Sequence, residues 1–461
     1  MKTISFILSF LILLVVEGNS QFSQTVTSAD GRFLLKQIEQ PIVGSNIAKQ
    51  SIDTIYFNQQ IQFQKIEGFG YTLTGGSAAL LHQLPSQKRD AILQEIFGQG
   101  PNALNVNYLR ISMGASDLDA AVFSYDDLVA GAVDPDLTKM SIAKDLEHLI
   151  PILKEIKAIQ PNLKLMATPW SPPAWMKDNG QSIGGHLLPK YYATYAQYFV
   201  KYIQLMRAEG LTINAVTIQN EPEHGGNNPS MLMTAEEQTK FIKNHLGPLF
   251  KNQRINTEIV IWDHNADNPN YPIQILNDSV AKSYVSAAAF HLYLGHESAL
   301  SKVYHAHPDK KIYFTEQWTG AKGNFAGDFM WHMEHVVIGT MANWSSLVLE
   351  WNLANDPNFG PHTPGGCTEC LGAMTIAGSE IKRNVSYYII GQIAPFVPRG
   401  AIRVETKSVN PKIQSIGFVR PDGKKVLLAL NTGKECVFTI DFEQKKYNFT
   451  LPEKSASTIV W

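Results

Sequence analysis

Ala215-Val-Thr-Ile-Gln-Asn-Glu-Pro222 and Lys311-Ile-Tyr-Phe-Thr-Glu-Gln-Trp318 are the two stretches that decide the fold. Each is an apolar run, rich in β-branched or aromatic residues, that leads to a glutamate: Glu221 in one, Glu316 in the other. A buried strand that stops on a carboxylate presents it at the C-terminal edge of a sheet, where α/β enzymes place their chemistry. The two glutamates lie 95 residues apart. That leaves room for about two intervening strand–helix units of about 30 residues or more. Further strand-like runs fall at 66–74, 105–113, 164–170, 258–264, 287–293 and 346–352, and with 213–220 and 311–317 they make eight. Between them lie amphipathic stretches such as 141–159 and 189–209, whose apolar residues recur at three and four. This alternation predicts an α/β fold, a (β/α)8 TIM barrel. An open doubly wound sheet is the alternative. Its Gly-rich phosphate turn is missing, because Gly68-Phe-Gly70 lies inside the first run rather than opening a helix.

The ends of the chain have a different texture. After Pro395 come short alternating runs at 415–419, 426–430 and 436–442, separated by turns such as Pro421-Asp-Gly423, and residues 24–63 look similar. Both ends therefore predict one accessory antiparallel β-sandwich. The start, Met1-Lys2 followed by an apolar run from Ile4 to Val16 and then Gly18-Asn-Ser20, has the form of a cleavable secretory signal. The expected division is a signal peptide at 1–21, sandwich strands at 22–64, the barrel at 65–390 and the rest of the sandwich at 391–461. A secreted protein, extracellular or periplasmic, follows. No later stretch reaches the ~18 apolar residues of a membrane span, so stable membrane insertion is not expected.

Composition narrows the partners. The 461 residues carry a net charge of −2, with no basic run, which argues against nucleic acid. Of three cysteines, Cys367 and Cys370 form a C-x-x-C pair that admits a local disulfide, free thiols or half a metal site. No second C-x-x-C completes a zinc set, and no metal or cofactor is expected.

On a barrel, Glu221 ends the fourth strand and Glu316 the seventh. Alternation puts Phe314, Glu316 and Trp318 on one face, and His291 and Tyr293 together on the sixth strand. One rim then holds two glutamates among Trp170, Trp318 and Trp351, a slot suited to the flat C–H faces of a sugar. Hydrolysis of a glycosidic bond needs such a carboxyl pair, one protonated to donate to the departing oxygen and one ionised to attack or stabilise the anomeric carbon. Asn220 is suited to bond a sugar hydroxyl, and Tyr293 to orient Glu316. Asp117, Asp263 and Glu350 also lie near strand ends, and spacing alone leaves them open as partners.

Lys65-Ile-Glu-Gly-Phe-Gly70, Thr168-Pro-Trp-Ser-Pro-Pro-Ala-Trp175, Gln219-Asn-Glu-Pro222, His291-Leu-Tyr293, Phe314-Thr-Glu316 and Glu350-Trp-Asn352 occur in one order along the chain. This set resembles glycoside hydrolase family 30, the family of glucosylceramidases and β-1,6-glucanases. The resemblance covers about residues 24–461. It implies a TIM barrel with a side β-sandwich and retaining hydrolysis of β-glucosides, with Glu221 as acid/base and Glu316 as nucleophile. It further implies that Trp170, Asn220 and Trp351 hold the sugar, that His291 and Tyr293 support it, and that Arg110 stands near the nucleophile.

One departure matters. Glucosylceramidase-like sequences carry Thr-Asp after the first strand, where this chain has Thr74-Gly75-Gly76. The lost carboxylate must be replaced from elsewhere, with Asp117 the candidate. The expected substrate is a β-glucoside, glycolipid or β-glucan. Release of terminal β-linked glucose ranks first, β-1,6-glucan cleavage by the same two glutamates second, and a non-catalytic sugar-binding barrel a distant third.

Overall fold

The computed structural model describes residues 22–38 and 53–461. The signal-like segment 1–21 lies outside the described residues. Eight parallel strands close into a barrel: β1 Gly68–Leu73, β2 Tyr108–Ser112, β3 Lys164–Thr168, β4 Ala215–Thr217, β5 Glu258–Ala266, β6 Val285–Gly295, β7 Lys311–Glu316 and β8 Ser345–Asn352. β8 returns to pair with β1, in register at Val348 and Phe69.

The barrel interior is a packed core, not a pore. Tyr108, Met166, Ala215, Val260, Ala287, Ala289, Tyr313, Leu347 and Leu349 fill it. Small residues on β6 face large ones on β2 and β7, the alternation of sizes that lets layers interdigitate. The opposite face of each strand, with residues such as Val216, Ile261, Phe290 and Phe314, packs on the surrounding helices. Among these helices are Leu149–Ile159 and Tyr192–Ala208. The first begins later than its pattern predicts. Ser141 N–H donates to the Tyr125 carbonyl (2.8 Å) and the Tyr125 hydroxyl to Asp145 (2.6 Å), so local hydrogen bonds hold 141–148 in turns.

The side domain is one continuous nine-stranded sheet. Its order is Lys36–Ile38, Ser23–Ser28, Ser455–Val460, Lys425–Asn431, Ile413–Val419, Ile402–Ser408, Thr54–Lys65, Cys436–Phe442 and Lys445–Leu451. It folds over into a sandwich, so that Phe22 meets Tyr447 and Phe449 at centroid distances of 4.6 and 5.3 Å. Ile55, Leu427, Phe438, Ile440 and Ile459 fill the space between. Among the described residues, no helix is long and apolar enough to cross a membrane.

Because Ala287 and Ala289 are fully buried inside the barrel, enlarging either one has no room. Ala289→Leu is expected to lower unfolding free energy by about 1–3 kcal/mol in a denaturant titration, by overpacking.

Candidate active site

β4 is shorter than its apolar run suggests. It ends at Thr217, and residues 218–221 leave the ladder to reach neighbouring loops. Asn220 N–H donates to the Pro169 carbonyl (2.9 Å) and Glu221 N–H to that of Asp263 (3.0 Å). Glu221 consequently adopts φ 46°, while Trp262 and Asp263 on β5 adopt 72° and 62°. Left-handed backbone at three non-glycine residues around one cavity is strain that the surroundings hold in place.

β7 breaks strict alternation as well. Its pairing with β6 shifts register between Phe314 and Glu316, leaving Thr315 as the extra residue of a bulge. Phe314 therefore packs toward the helices, not beside Glu316 as alternation predicts. Thr315 points inward and donates to Asp263 (2.7 Å). His291 and Tyr293 do share a face of β6, and both reach carboxylates of the site.

Arg110, fully buried on β2, organises the floor. Its guanidinium donates to Glu316 (2.5 Å), Asn220 Oδ1 (2.6 Å), Asp263 (2.9 Å) and Thr168 Oγ1 (3.2 Å). It also lies 4.8 Å from the ring centre of Trp170 and 5.7 Å from that of Trp351. Tyr293 donates its hydroxyl to the other oxygen of Glu316 (2.9 Å). His291 bridges Glu221 (3.1 Å, Nδ1) and Asp263 (3.2 Å, Nε2), with Glu316 3.8 Å away.

Donor atoms of Glu221, His291 and Glu316 all lie within 4.8 Å of one another. The carboxylates therefore meet across a gap close to the ~5–5.5 Å of retaining glycosidases, well short of the ~6.5–9.5 Å that inversion requires. Three such donors also suit a metal ion by distance. Burial pushes the His291 imidazole down, but the charge of Glu316 and the hydrogen bonds to Asp263 and Glu221 win, lifting it to about 9.

Burial also pushes Glu221 up, but the hydrogen bond and charge of His291 outweigh it, and its carboxyl is lowered. Glu316 is raised by burial, with the charge of Glu221 adding and His291 and Arg110 opposing. One proton is thus shared along the Glu221–His291 contact, held mainly on the imidazole. Asp263 resists its own burial through Arg110, His291 and Thr315, and its carboxyl stays far below the usual range. It is a fixed counter-charge. Glu350 is bound by His332 (2.8 Å) and Ser386 (3.3 Å), on the helix side of β8, and is not part of the site.

The cavity above these groups measures about 390 Å³. Asp117, Trp170, Asn220, Glu221, Tyr293, Glu316, Trp318 and Trp351 line it, while Arg110 and His291 sit behind the carboxylates. Its remaining walls include His224 and Asn227 from the loop after β4, His264 and Asn265 on β5 and Leu294 on β6. Cys367 and Cys370 form a disulfide in the same wall. This settles the three alternatives for the pair.

The position of the lost aspartate is filled. A Cβ on Gly75 would lie 1.6 Å from Asp119 Oδ1, and Asp119 is anchored by the Ser116 N–H (2.7 Å) and hydroxyl (2.8 Å). Asp117, two residues before it, is the carboxyl that reaches the cavity. Burial and the charge of Glu316 push Asp117 up to about 7, against a hydrogen bond from Cys367 N–H (3.3 Å).

Comparison with known proteins gives a consistent picture. The model of the glycosyl hydrolase family 30 TIM-barrel domain matches residues 66–397, and that of the family's β-sandwich domain matches 400–459. An endo-1,6-β-D-glucanase of Neurospora crassa is 33% identical, with 90% of this chain and 89% of that protein covered. The lysosomal acid glucosylceramidase of Mus musculus is 26% identical, over 87% and 82%. A solved endo-β1,6-glucanase superposes with a TM-score of 0.88 at 33% identity, covering 95% of this chain and 99% of that one.

The imidazole offers a direct test of this electrostatic arrangement. His291 is expected to titrate at about 9 by NMR, and Glu316→Gln to lower that value, because Glu316 is its largest upward influence. An unchanged titration in the variant would contradict it.

Proposed function

The chain belongs to glycoside hydrolase family 30, and from that premise we propose that it is an endo-acting β-1,6-glucanase working with retention at the anomeric carbon. The sequence alone ranked release of terminal glucose first. The order is reversed here because three fungal endo-1,6-β-D-glucanases are 32–33% identical, whereas the mouse glucosylceramidase is 26% identical. The observation that carries retention is the close approach of Glu221 and Glu316.

In this reading Glu316 attacks the anomeric carbon and forms a covalent glucosyl ester. Arg110 and Tyr293 hold its two oxygens in place for attack. Glu221 delivers a proton to the departing oxygen, and then takes one from the water that hydrolyses the ester. Glu316's charge is what keeps the shared proton on His291. Ester formation consumes that charge, so His291 acidifies as the bond forms and its proton passes through Glu221 to the leaving group. Attack by the nucleophile thereby releases the acid.

Asn220 has its carbonyl oxygen held by Arg110, which leaves its amide N–H groups to bond a sugar hydroxyl. Trp170, Trp318 and Trp351 form the walls for the ring, and Asp117 serves hydroxyls on the side where Gly75 offers nothing. The leader-like segment 4–16 and the disulfide fit export to an oxidising compartment, where a glucan polymer would be met.

Three measurements test this reading. Rates on β-1,6-glucan, an aryl β-glucoside and glucosylceramide should rank the glucan first, with internal cleavage products and a β-anomer formed first. Glucosylceramide as the best substrate, or an α-anomer, would refute it. In variants, Glu316→Gln should lower kcat by at least about 10⁴-fold with binding retained. Glu221→Gln should spare activated aryl glucosides far more than the glucan. The pH profile of kcat/KM on the glucan should be a bell. Its acid limb falls as pH drops through the raised Glu316 value, and its alkaline limb falls as pH rises through about 9, where His291 loses the shared proton.

A further inference from the structure

A second cavity, about 520 Å³, adjoins the catalytic one and shares Tyr293 and Trp318 with it. Its far wall is Trp331, which is 38% exposed. Trp170, Trp262 and Trp351, by contrast, are nearly fully buried. An exposed indole in the wall of a cavity that adjoins the site offers a flat apolar face on which a ring can pack.

The setting of Trp331 keeps that face in position. Its ring is braced by His332 and His335 at centroid distances of 5.2 and 5.1 Å. Polar groups surround it. Gln317, next in sequence to Glu316, lines the same cavity with Asp328, Lys322 and Glu369. Lys322 and Glu369 form an exposed ion pair at 2.5 Å. Ala321 N–H donates to the Glu369 carbonyl (2.8 Å), which ties this rim to the disulfide loop.

An aromatic platform with amide and charged groups at its edge is the equipment for one sugar ring, apolar face on the indole and hydroxyls on the rim. We propose that this cavity is a distal subsite that holds a further glucosyl residue of the polymer whose bond is cut between Glu221 and Glu316, with Trp331 as its stacking platform. The inference rests on the reading of the chain as a glucan hydrolase and extends it to chain-length recognition. Continuity through Tyr293 and Trp318 makes the occupant the same chain rather than a separate ligand. A monoglucosylated lipid has no second ring to place there.

The test uses the full-length enzyme and β-1,6-linked gluco-oligosaccharides of graded length. Trp331→Ala should raise KM about tenfold for the longer oligosaccharides while leaving kcat unchanged. It should leave the disaccharide, which fills only the places flanking the scissile bond, unaffected. Trp331→Phe should recover most of the loss. Calorimetry on Glu316→Gln, with and without Trp331→Ala, should show the same length-dependent loss in Kd. If the β-1,6 series is cleaved with KM unchanged in both Trp331 variants, the subsite is refuted and the linkage stands. If a β-1,3 series shows the Trp331-dependent binding instead, the subsite stands and the linkage assigned above falls. Binding of no glucan that depends on Trp331 overturns the subsite outright.

Discussion

The guanidinium of Arg110 is the constraint on which the rest of the site depends. It is fully buried, yet it reaches groups contributed by β3, β5, β7 and the loop after β4. A buried cation is tolerable only if it is paired and fully hydrogen-bonded, and removing one partner from such a set costs about 3–5 kcal/mol. Asp263 supplies one countercharge and Glu316 the other. The same contacts that neutralise the arginine therefore fix the positions of Asn220 and Glu316 relative to each other.

His291 plays the complementary part. It stands between three carboxylates and carries the charge that lets Glu221, Asp263 and Glu316 crowd into one buried space. Arg110 cannot lose its proton under ordinary conditions, whereas an imidazole can. In the proposed mechanism the two cations thus divide the work between a fixed charge that positions and a movable one that is passed along. His291 is fully buried, whereas Glu221 both contacts it and lines the cavity.

Much of this was legible in the sequence, and the reasons differ by residue. All eight barrel strands could be found because their apolar runs are long and bounded. His291 and Tyr293 could be placed together because β6 keeps its period there. Phe314 was misplaced because one extra residue in β7 cannot be seen in a hydrophobic pattern. The early end of β4, and the left-handed backbone at Glu221 and Asp263, depend on contacts between loops distant in sequence. Asp263 looked like one of several acids near strand ends, and only its partners reveal it as an anchor. Gly75 was read correctly as a loss, but the occupant of the vacated space, Asp119, needed coordinates. Trp331 sits inside a helical stretch, where an exposed indole has no periodic signature.

The way the side sheet is assembled has a bearing on how the protein is made. Ser23–Ser28 lies between Lys36–Ile38 and Ser455–Val460, so one of its two neighbours is translated only after the whole barrel. The barrel's own strands, the last of which ends at Asn352, are all translated before that point. During synthesis the early strand keeps a bare edge of unpaired N–H and C=O groups, the kind of surface that recruits other chains. Arrival of Ser455–Val460, not closure of the barrel, is the event that removes this exposure.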